Sequence, residues 1–289
     1  SIDEEDLIAE EDVVITLTHA GYIKRLPIDT YNAQKRGGRG IQGITTKEDD
    51  FVEHIFITST HNNLLFFTNR GKAYKLKAYE IPEASRTAKG TNLINILPLE
   101  NEETIQAVVS LKTFEENSYL VMGTKKGIVK RTSLDKYSSI RKNGIIAINL
   151  REEDELIGAA ITNGDSEIIF VTKQGYSIRF NEKDAREMGR TTTGVKAITL
   201  REEDIAVSMV VVKEDEELLV ISEKGFGKRT DISEYTLQHR GGKGIITYKV
   251  SEKTGCVVGA RIVKNEDELM LINSDGIVIR LNVAEISTT

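Results

Sequence analysis

The stretch Leu120–Arg131, LVMGTKKGIVKR, decides the fold. An apolar, β-prone run meets a short polar loop ending in glycine, and a second strand-like run carries a basic residue four places later. Glycine takes positive φ there without steric cost, which a tight turn between antiparallel strands requires. The pattern recurs as ITLTHAGYIKR, LFFTNRGKAYK, IIFVTKQGYSIR, LLVISEKGFGKR and LMLINSDGIVIR. Its glycines are Gly21, Gly71, Gly127, Gly175, Gly225 and Gly276, spaced 50, 56, 48, 50 and 51 residues apart. Position Gly+4 is basic every time: Arg25, Lys75, Arg131, Arg179, Arg229 and Arg280. Six β-hairpins are therefore expected, near residues 13–28, 63–78, 118–133, 167–181, 217–232 and 268–283.

Working outward, a second landmark follows at nearly constant distance. Gly40, Gly90, Gly144, Gly194 and Gly244 lie 19, 19, 17, 19 and 19 residues beyond the hairpin glycines. Four places before them stand Arg36, Arg86, Ile140, Arg190 and Arg240, with Arg141 one place on in the third unit. Apolar strand-like runs come next, separated by acidic turns at Lys47–Asp50, Arg151–Glu155 and Arg201–Asp204. Each unit reads as about four strands over some fifty residues, the signature of a propeller-like ring or open spiral. The fold class expected is all-β, with six blades and one short helical turn at Glu182–Met188. A sixth landmark would fall near residue 295, so either the last unit is cut short or strands are exchanged between neighbouring units. A WD-repeat propeller needs its signature tryptophan and the chain has none. Two stacked sandwiches would not place six hairpins in register.

The composition suits a soluble folded chain: 289 residues, 39% hydrophobic and 29% charged. No apolar run approaches the roughly 20 residues that span a bilayer, and no signal peptide opens the chain. One cysteine forms no internal disulfide, which suits a reducing cytoplasm. The net charge of −6 first argues against nucleic acid, but seven acidic residues lie within the first twelve. Residues 1–12 read as an acidic leader, either a plain linker or an autoinhibitory tail, and residues 13–289 as the domain, carrying +1.

The sharpest local signal is QKRGGRG, Gln34, Lys35, Arg36, Gly37, Gly38, Arg39 and Gly40. Three cations among three glycines make a loop that lays backbone amides and guanidinium forks against phosphate. The bland reading, a solvated turn, weakens because a near-copy, QHRGGKG, recurs at Gln238–Gly244 in the same repeat phase. Residues Gly38–Gly43 also fit G-x-G-x-x-G, but no strand-to-helix context surrounds them, so the match is accidental.

Residues Gln34–Gly40 match all seven positions of the gyrase A box, Q-[R/K]-R-G-G-[R/K]-G. With the hairpin and landmark pattern from Val13 onward, the chain resembles the C-terminal domain of bacterial DNA gyrase A. The related domain of topoisomerase IV, whose box is typically eroded, is the alternative within that resemblance. The resemblance implies a β-pinwheel around whose basic rim double-stranded DNA wraps, presenting a positive crossover to a strand-passage core. It implies as partners the rest of gyrase A and the gyrase B protein, with ATP, Mg and the DNA-cleaving tyrosine lying elsewhere in the enzyme. The location implied is the cytoplasm, at the nucleoid.

On this reading the box captures the wrap. The remaining rim candidates are Lys24, Arg25, Arg86, Lys89, Lys130, Arg131, Arg190, Lys228, Arg229, Arg240, Gly241, Gly242 and Lys243. A ring of such cations contacts phosphates without reading bases, so binding is expected to be sequence-independent and steeply salt-dependent. The acidic turns are expected away from the DNA path. No cofactor, metal site or catalytic residue is expected: the four histidines lack ligand spacing and no Walker loop occurs. Cys256 is expected in the core. A protein-interaction propeller and an enzyme with a central pocket are the rival classes.

Overall fold

The apolar central strands explain why the hairpins stack as blades. In Asn63–Thr68 every residue from Leu64 to Phe67 is fully buried. Alternate side chains serve opposite faces of a strand. Leu64 and Phe66 pack with Ile15, Leu17 and Ile23 of the first unit. Leu65 and Phe67 pack instead with Leu120 and Met122 of the third. The pattern repeats for Ile168 and Phe170 against Ile169 and Val171, and for Leu218 and Val220 against Leu219 and Ile221. Cores thus lie between successive blades, and a strand covered on both faces reads as an unbroken apolar run.

The structure is a computed structural model describing residues 3–29, 50–115, 117–264 and 286, with the backbone of Glu268–Ile272 and Val278–Asn282. Blade one has the strand order Val52–Ser59, Asp12–Thr18, Tyr22–Pro27, Thr91–Asn92. Blade two runs Ile105–Leu111, Asn63–Thr68, Lys72–Lys77, Ile145–Ile146, and blade three Leu156–Thr162, Tyr119–Thr124, Ile128–Ser133, Val195–Lys196. In blade four Ala206–Val211, Glu167–Thr172 and Tyr176–Asn181 are joined by Ile245–Ile246 and, in parallel, Leu237–Gln238. The first-named strands of successive blades lie side by side, Thr58 and Ser110 joining hydroxyls at 2.6 Å.

In each of these four blades the outermost strand follows the landmark glycine of the next unit. Strand exchange, the second of the two expected alternatives, is what the described residues show. The expectation of six blades is met only in part. The described residues form five blades, the fifth with three strands (Glu217–Ser222, Gly227–Asp231 and Val257–Val263), plus the hairpin Glu268–Ile272/Val278–Asn282.

The landmark glycines have two reasons to be glycine. Gly194 and Gly244 have φ of 103° and 73°. A Cβ on Gly194 would lie 2.5 Å from the Val129 carbonyl oxygen, and one on Gly244 2.3 Å from that of Ser177. The single helical turn expected at Glu182–Met188 is a 3-10 turn, Glu182–Asp184, and similar turns follow other hairpins at Ala78–Glu80, Leu134–Tyr137 and Ile232–Glu234. Cys256, expected in the core, is half-buried, and its amide donates to Glu223 Oε1.

The acidic leader packs on the second hairpin. Thr60 exchanges hydrogen bonds with Ala9 and Glu11, His61 Nε2 lies 2.8 Å from the Ile8 carbonyl oxygen, and Glu5 lies 3.4 Å from Lys77 Nζ. Among the described residues, none of the rim candidates takes part in these contacts.

Gly194→Ala is expected to destabilise the domain by about 1–3 kcal/mol, through the strained φ and the backbone clash. Gly189→Ala, with nothing within 4 Å of the added Cβ, is expected to change the melting temperature little. Thermal unfolding of the two variants checks both.

Candidate nucleic-acid interface

The outermost strands place the landmark loops along the outer edge of the blades. There Arg86 and Lys89 are exposed in the second unit, Arg141 and Lys142 in the third, Lys196 in the fourth, and His239 and Lys243 in the fifth. Lys89 Nζ sits 4.1 Å from the centre of the Tyr22 ring, a cation–π contact that holds it on the edge.

Successive loops are tied to one another. Arg190 donates to the Ile146 carbonyl oxygen at 2.5 Å, and Arg240 donates to those of Lys196 at 3.0 Å and Asp184 at 2.9 Å. Arg190 and Arg240 therefore each reach the outer strand supplied by the unit before their own. Gly241, with φ of 92°, donates its amide to Ala197 and accepts from Thr199 Oγ1 at 2.6 Å. The Gly242 carbonyl accepts from the Thr199 amide at 2.8 Å. Arg201, stacked 3.5 Å from the Tyr176 ring centre, donates to the Lys243 carbonyl oxygen. The result is a hydrogen-bonded edge across the third, fourth and fifth units, with exposed cations on each.

The Gly+4 arginines do something else. Arg25 Nε donates to the Ile81 carbonyl oxygen, Arg131 Nε to that of Ala185 and Arg229 Nε to that of Ile286, all at 2.8–2.9 Å. Arg179 donates to Ile232 and Tyr235 and pairs with Glu167. Ile81, Ala185, Tyr235 and Ile286 all lie ten residues beyond the next hairpin glycine, so these arginines staple each hairpin to the following unit. Arg229, expected on the rim, is only 7% exposed. Lys75 departs from the scheme and lies over the Phe114 ring.

Three Gly+3 lysines are corrected likewise. Lys130 is fully buried, with Nζ 2.5 Å from the Ala147 carbonyl oxygen, 3.5 Å from the Tyr137 hydroxyl and bonded to the Arg190 carbonyl. Lys24 Nζ donates to Ser85, Arg86 and Ala88 at 3.2, 2.8 and 2.9 Å. Lys228 Nζ donates to the Thr247 carbonyl oxygen at 3.3 Å. These side chains spend their charge on backbone oxygens rather than presenting it outward. The segment Gln34–Gly40 lies outside the described residues.

The acidic turns have a role that their charge does not announce. Asp154 and Asp204, 8% and 7% exposed, accept the amides of Lys126 and Gln174 at 2.9 Å through Oδ1. Asp50 accepts from Ala20 in the same way. Each carboxylate caps the polar loop of its own unit's hairpin. In unit two Glu103 bonds Thr68 and Tyr74 instead. The recurrence of Asp50, Asp154 and Asp204 at 29, 27 and 29 residues beyond the hairpin glycines was the signal that could have revealed the caps.

A cavity of about 340 Å³ between the first two blades is lined by His19, Glu53, His54 and Glu103. Its groups are committed: His19 pairs with Glu53 at 3.0 Å, Glu103 is held as above, and burial lowers the pKa of His54. Among the described residues no cluster of histidine, cysteine or carboxylate side chains is grouped to hold a metal, and no helix is long and apolar enough to cross a membrane.

Burial, aided by the Arg190 charge, pushes the pKa of Lys130 down from 10.5 to about 7. Between those values the unfolded chain binds a proton that the folded chain has released, so this group makes stability rise with pH from about 7 towards 10. Lys130→Met is expected to flatten that part of the profile, as read by urea unfolding at successive pH values.

Comparison with known proteins agrees with this geometry. The family described as "DNA gyrase C-terminal domain, beta-propeller" matches at residues 12–59, 62–112, 118–163, 166–213, 216–264 and 267–289. The DNA gyrase A protein of Clostridium acetobutylicum is 69% identical over 288 residues, covering 100% of this chain and 35% of that protein. Its counterpart in Halalkalibacterium halodurans is 55% identical over 287 residues, covering 99% and 34%. The chain thus spans about a third of the length of these curated relatives. A solved DNA gyrase A C-terminal domain superposes with a TM-score of 0.74 at 31% identity, covering 96% of this chain and 92% of that one. The C-terminal domain of DNA topoisomerase IV gives a TM-score of 0.81 at 27% identity, covering 98% and 87%. With repeats matched from Asp12 to Thr289, the chain belongs to the family of DNA gyrase A C-terminal domains.

Proposed function

We propose that this chain binds, bends and wraps double-stranded DNA along its outer edge, without reading sequence. The observation that carries the reading is the row of exposed cations Arg86, Lys89, Arg141, Lys142, Lys196 and Lys243 on consecutive landmark loops. DNA resists bending over about 150 bp, so tight curvature costs on the order of several kcal/mol. Phosphate contacts distributed over successive blades offset that cost, and edge loops with no groove-reading helix among the described residues suit backbone contact over base readout. Box residues Gln34–Gly40 would capture the wrap, with Lys35, Arg36 and Arg39 as the phosphate ligands.

The wrap would present a positive crossover to the strand-passage core of gyrase, formed by the rest of gyrase A with the gyrase B protein, where ATP and Mg act. The domain itself would carry no catalytic residue, and the enzyme would work in the cytoplasm at the nucleoid. The final hairpin would be completed as a sixth blade by the exchange rule of the other blades. The alternative assignment, topoisomerase IV, shares the fold. The intact box and the 69% identity to a gyrase A protein favour gyrase.

A titration of duplex binding against salt tests this reading. Affinity should fall steeply, with log K against log salt sloping by about −0.9 for each phosphate contact. Arg86→Ala and Lys243→Ala should each lower the slope by about one contact without changing sequence preference. Salt-independent binding, or none at low salt, would favour the protein-interaction propeller. In the whole enzyme, alanines across Gln34–Gly40 should abolish supercoiling while sparing ATP-independent relaxation, as read on plasmid gels.

A further inference from the structure

The loops that carry Arg86 and Arg190 are each gripped from beneath by a lysine of the preceding unit. Lys24 closes on three carbonyl oxygens of the loop Ser85–Ala88. Lys130 reaches the Arg190 carbonyl itself, and anchors on Ala147 and Tyr137. Both stand at Gly+3, where the second and fourth units carry Tyr74 and Ile178. The landmark glycines Gly90 and Gly194 close the same contact from the other side, since a Cβ on either would lie 3.1 Å from the Cβ of Lys24 or Lys130. Arg86 is exposed on the outer edge, while Arg190 is half-buried with its guanidinium resting on the Ile146 carbonyl oxygen at that edge; the backbone of each loop is held by a cation below.

We propose that Lys24 and Lys130 are positioning residues for DNA engagement, each fixing the loop of the next unit so that Arg86 or Arg190 meets phosphate. The inference rests on the DNA-wrapping reading above. Neither lysine touches DNA; each acts through the arginine whose loop it holds. An ammonium makes charge-assisted bonds to the carbonyl oxygens it meets, whereas a neutral amine donates only ordinary ones, its lone pair turned to the Tyr137 hydroxyl. The grip on the Arg190 loop therefore weakens when Lys130 loses its proton. With its pKa pushed down to about 7 by burial, Lys130 makes that loss near neutrality. The groups facing it are Tyr137, whose own pKa burial raises beyond the neutral range, and the Arg190 guanidinium. Only the lysine changes charge there.

The test measures the salt slope of binding to a long linear duplex for the whole chain and for Lys130→Met, Arg190→Ala and the double variant. A lost Arg190 contact lowers the slope by about 0.9. Lys130→Met is expected to lower it by the same amount, with no further loss in the double variant, because both act on one contact. Lys24→Met and Arg86→Ala are expected to behave alike on their own loop. A Lys130→Met protein that keeps the full slope while Arg190→Ala reduces it would overturn the proposal, leaving the lysine a space-filler. If the unaltered protein shows no salt-dependent binding at all, the wrapping reading fails first. Should Lys130→Met not fold, binding is followed from pH 6 to 8 in the His239→Gln protein, which lacks the exposed rim histidine. Affinity falling as pH rises supports the grip, and a flat profile overturns it.

Discussion

The fold depends on a close approach in which the landmark glycines Gly90, Gly144, Gly194 and Gly244 lie against the hairpin of the unit before their own. At Gly194 and Gly244 the approach leaves no room for a Cβ, and φ lies where other residues are strained. This contact sends the following two-residue strand onto the neighbour's sheet, as at Val195–Lys196 on Ile128–Ser133. A blade therefore has no complete edge until its successor has folded, and each interblade core draws on two or more units. The same contact carries the basic loop preceding the glycine to the outer edge of the blades. Strand exchange and the cationic edge are two consequences of one constraint.

That geometry sorts the cations into two populations. Lys24, Lys130 and the arginines Arg25, Arg131, Arg179 and Arg229 point into the seam between units, where backbone carbonyls of 3-10 turns and loops would otherwise lie unpaired. A buried carbonyl without a donor costs about 1–3 kcal/mol, and a buried cation costs more unless hydrogen-bonded, so pairing them resolves both. Arg229 against Ile286 and Lys130 against Ala147 are this solution. The landmark cations have no such claim on them at Arg86, Lys89 and Lys243, and stay in solvent. The acids follow the same logic, since Asp154 and Asp204 cap turns.

Much of this was legible in the residues. The six hairpin glycines and the fifty-residue period gave the blades, because a turn needing positive φ leaves its mark in sequence. Strand exchange stood as one of two alternatives, since the outer strands Thr91–Asn92 and Ile145–Ile146 are too short to announce their partner. The seam bonds of the Gly+4 arginines were not legible, for a physical reason. Periodicity says that Arg25, Arg131 and Arg229 are equivalent, and equivalence is compatible with a seam as much as with a rim. Their partners lie 54–57 residues away, across the exchange, where no local pattern points. Lys142, Lys196 and Arg201 were missed because they fall just off the repeating positions. The box, the most informative motif in the chain, lies outside the described residues, so its place in the account rests on its chemistry and its near-copy at Gln238–Gly244.

The central claim is that the outer edge wraps DNA with a defined hand, and a topological assay tests it most directly. The domain is bound to relaxed closed-circular plasmid, the DNA is relaxed again with a type I topoisomerase, and the protein is removed. Wrapping that traps positive crossovers predicts a positive change in linking number that grows with the amount of protein bound. An unchanged linking number at saturating protein would contradict the account, whatever the affinity for short duplexes.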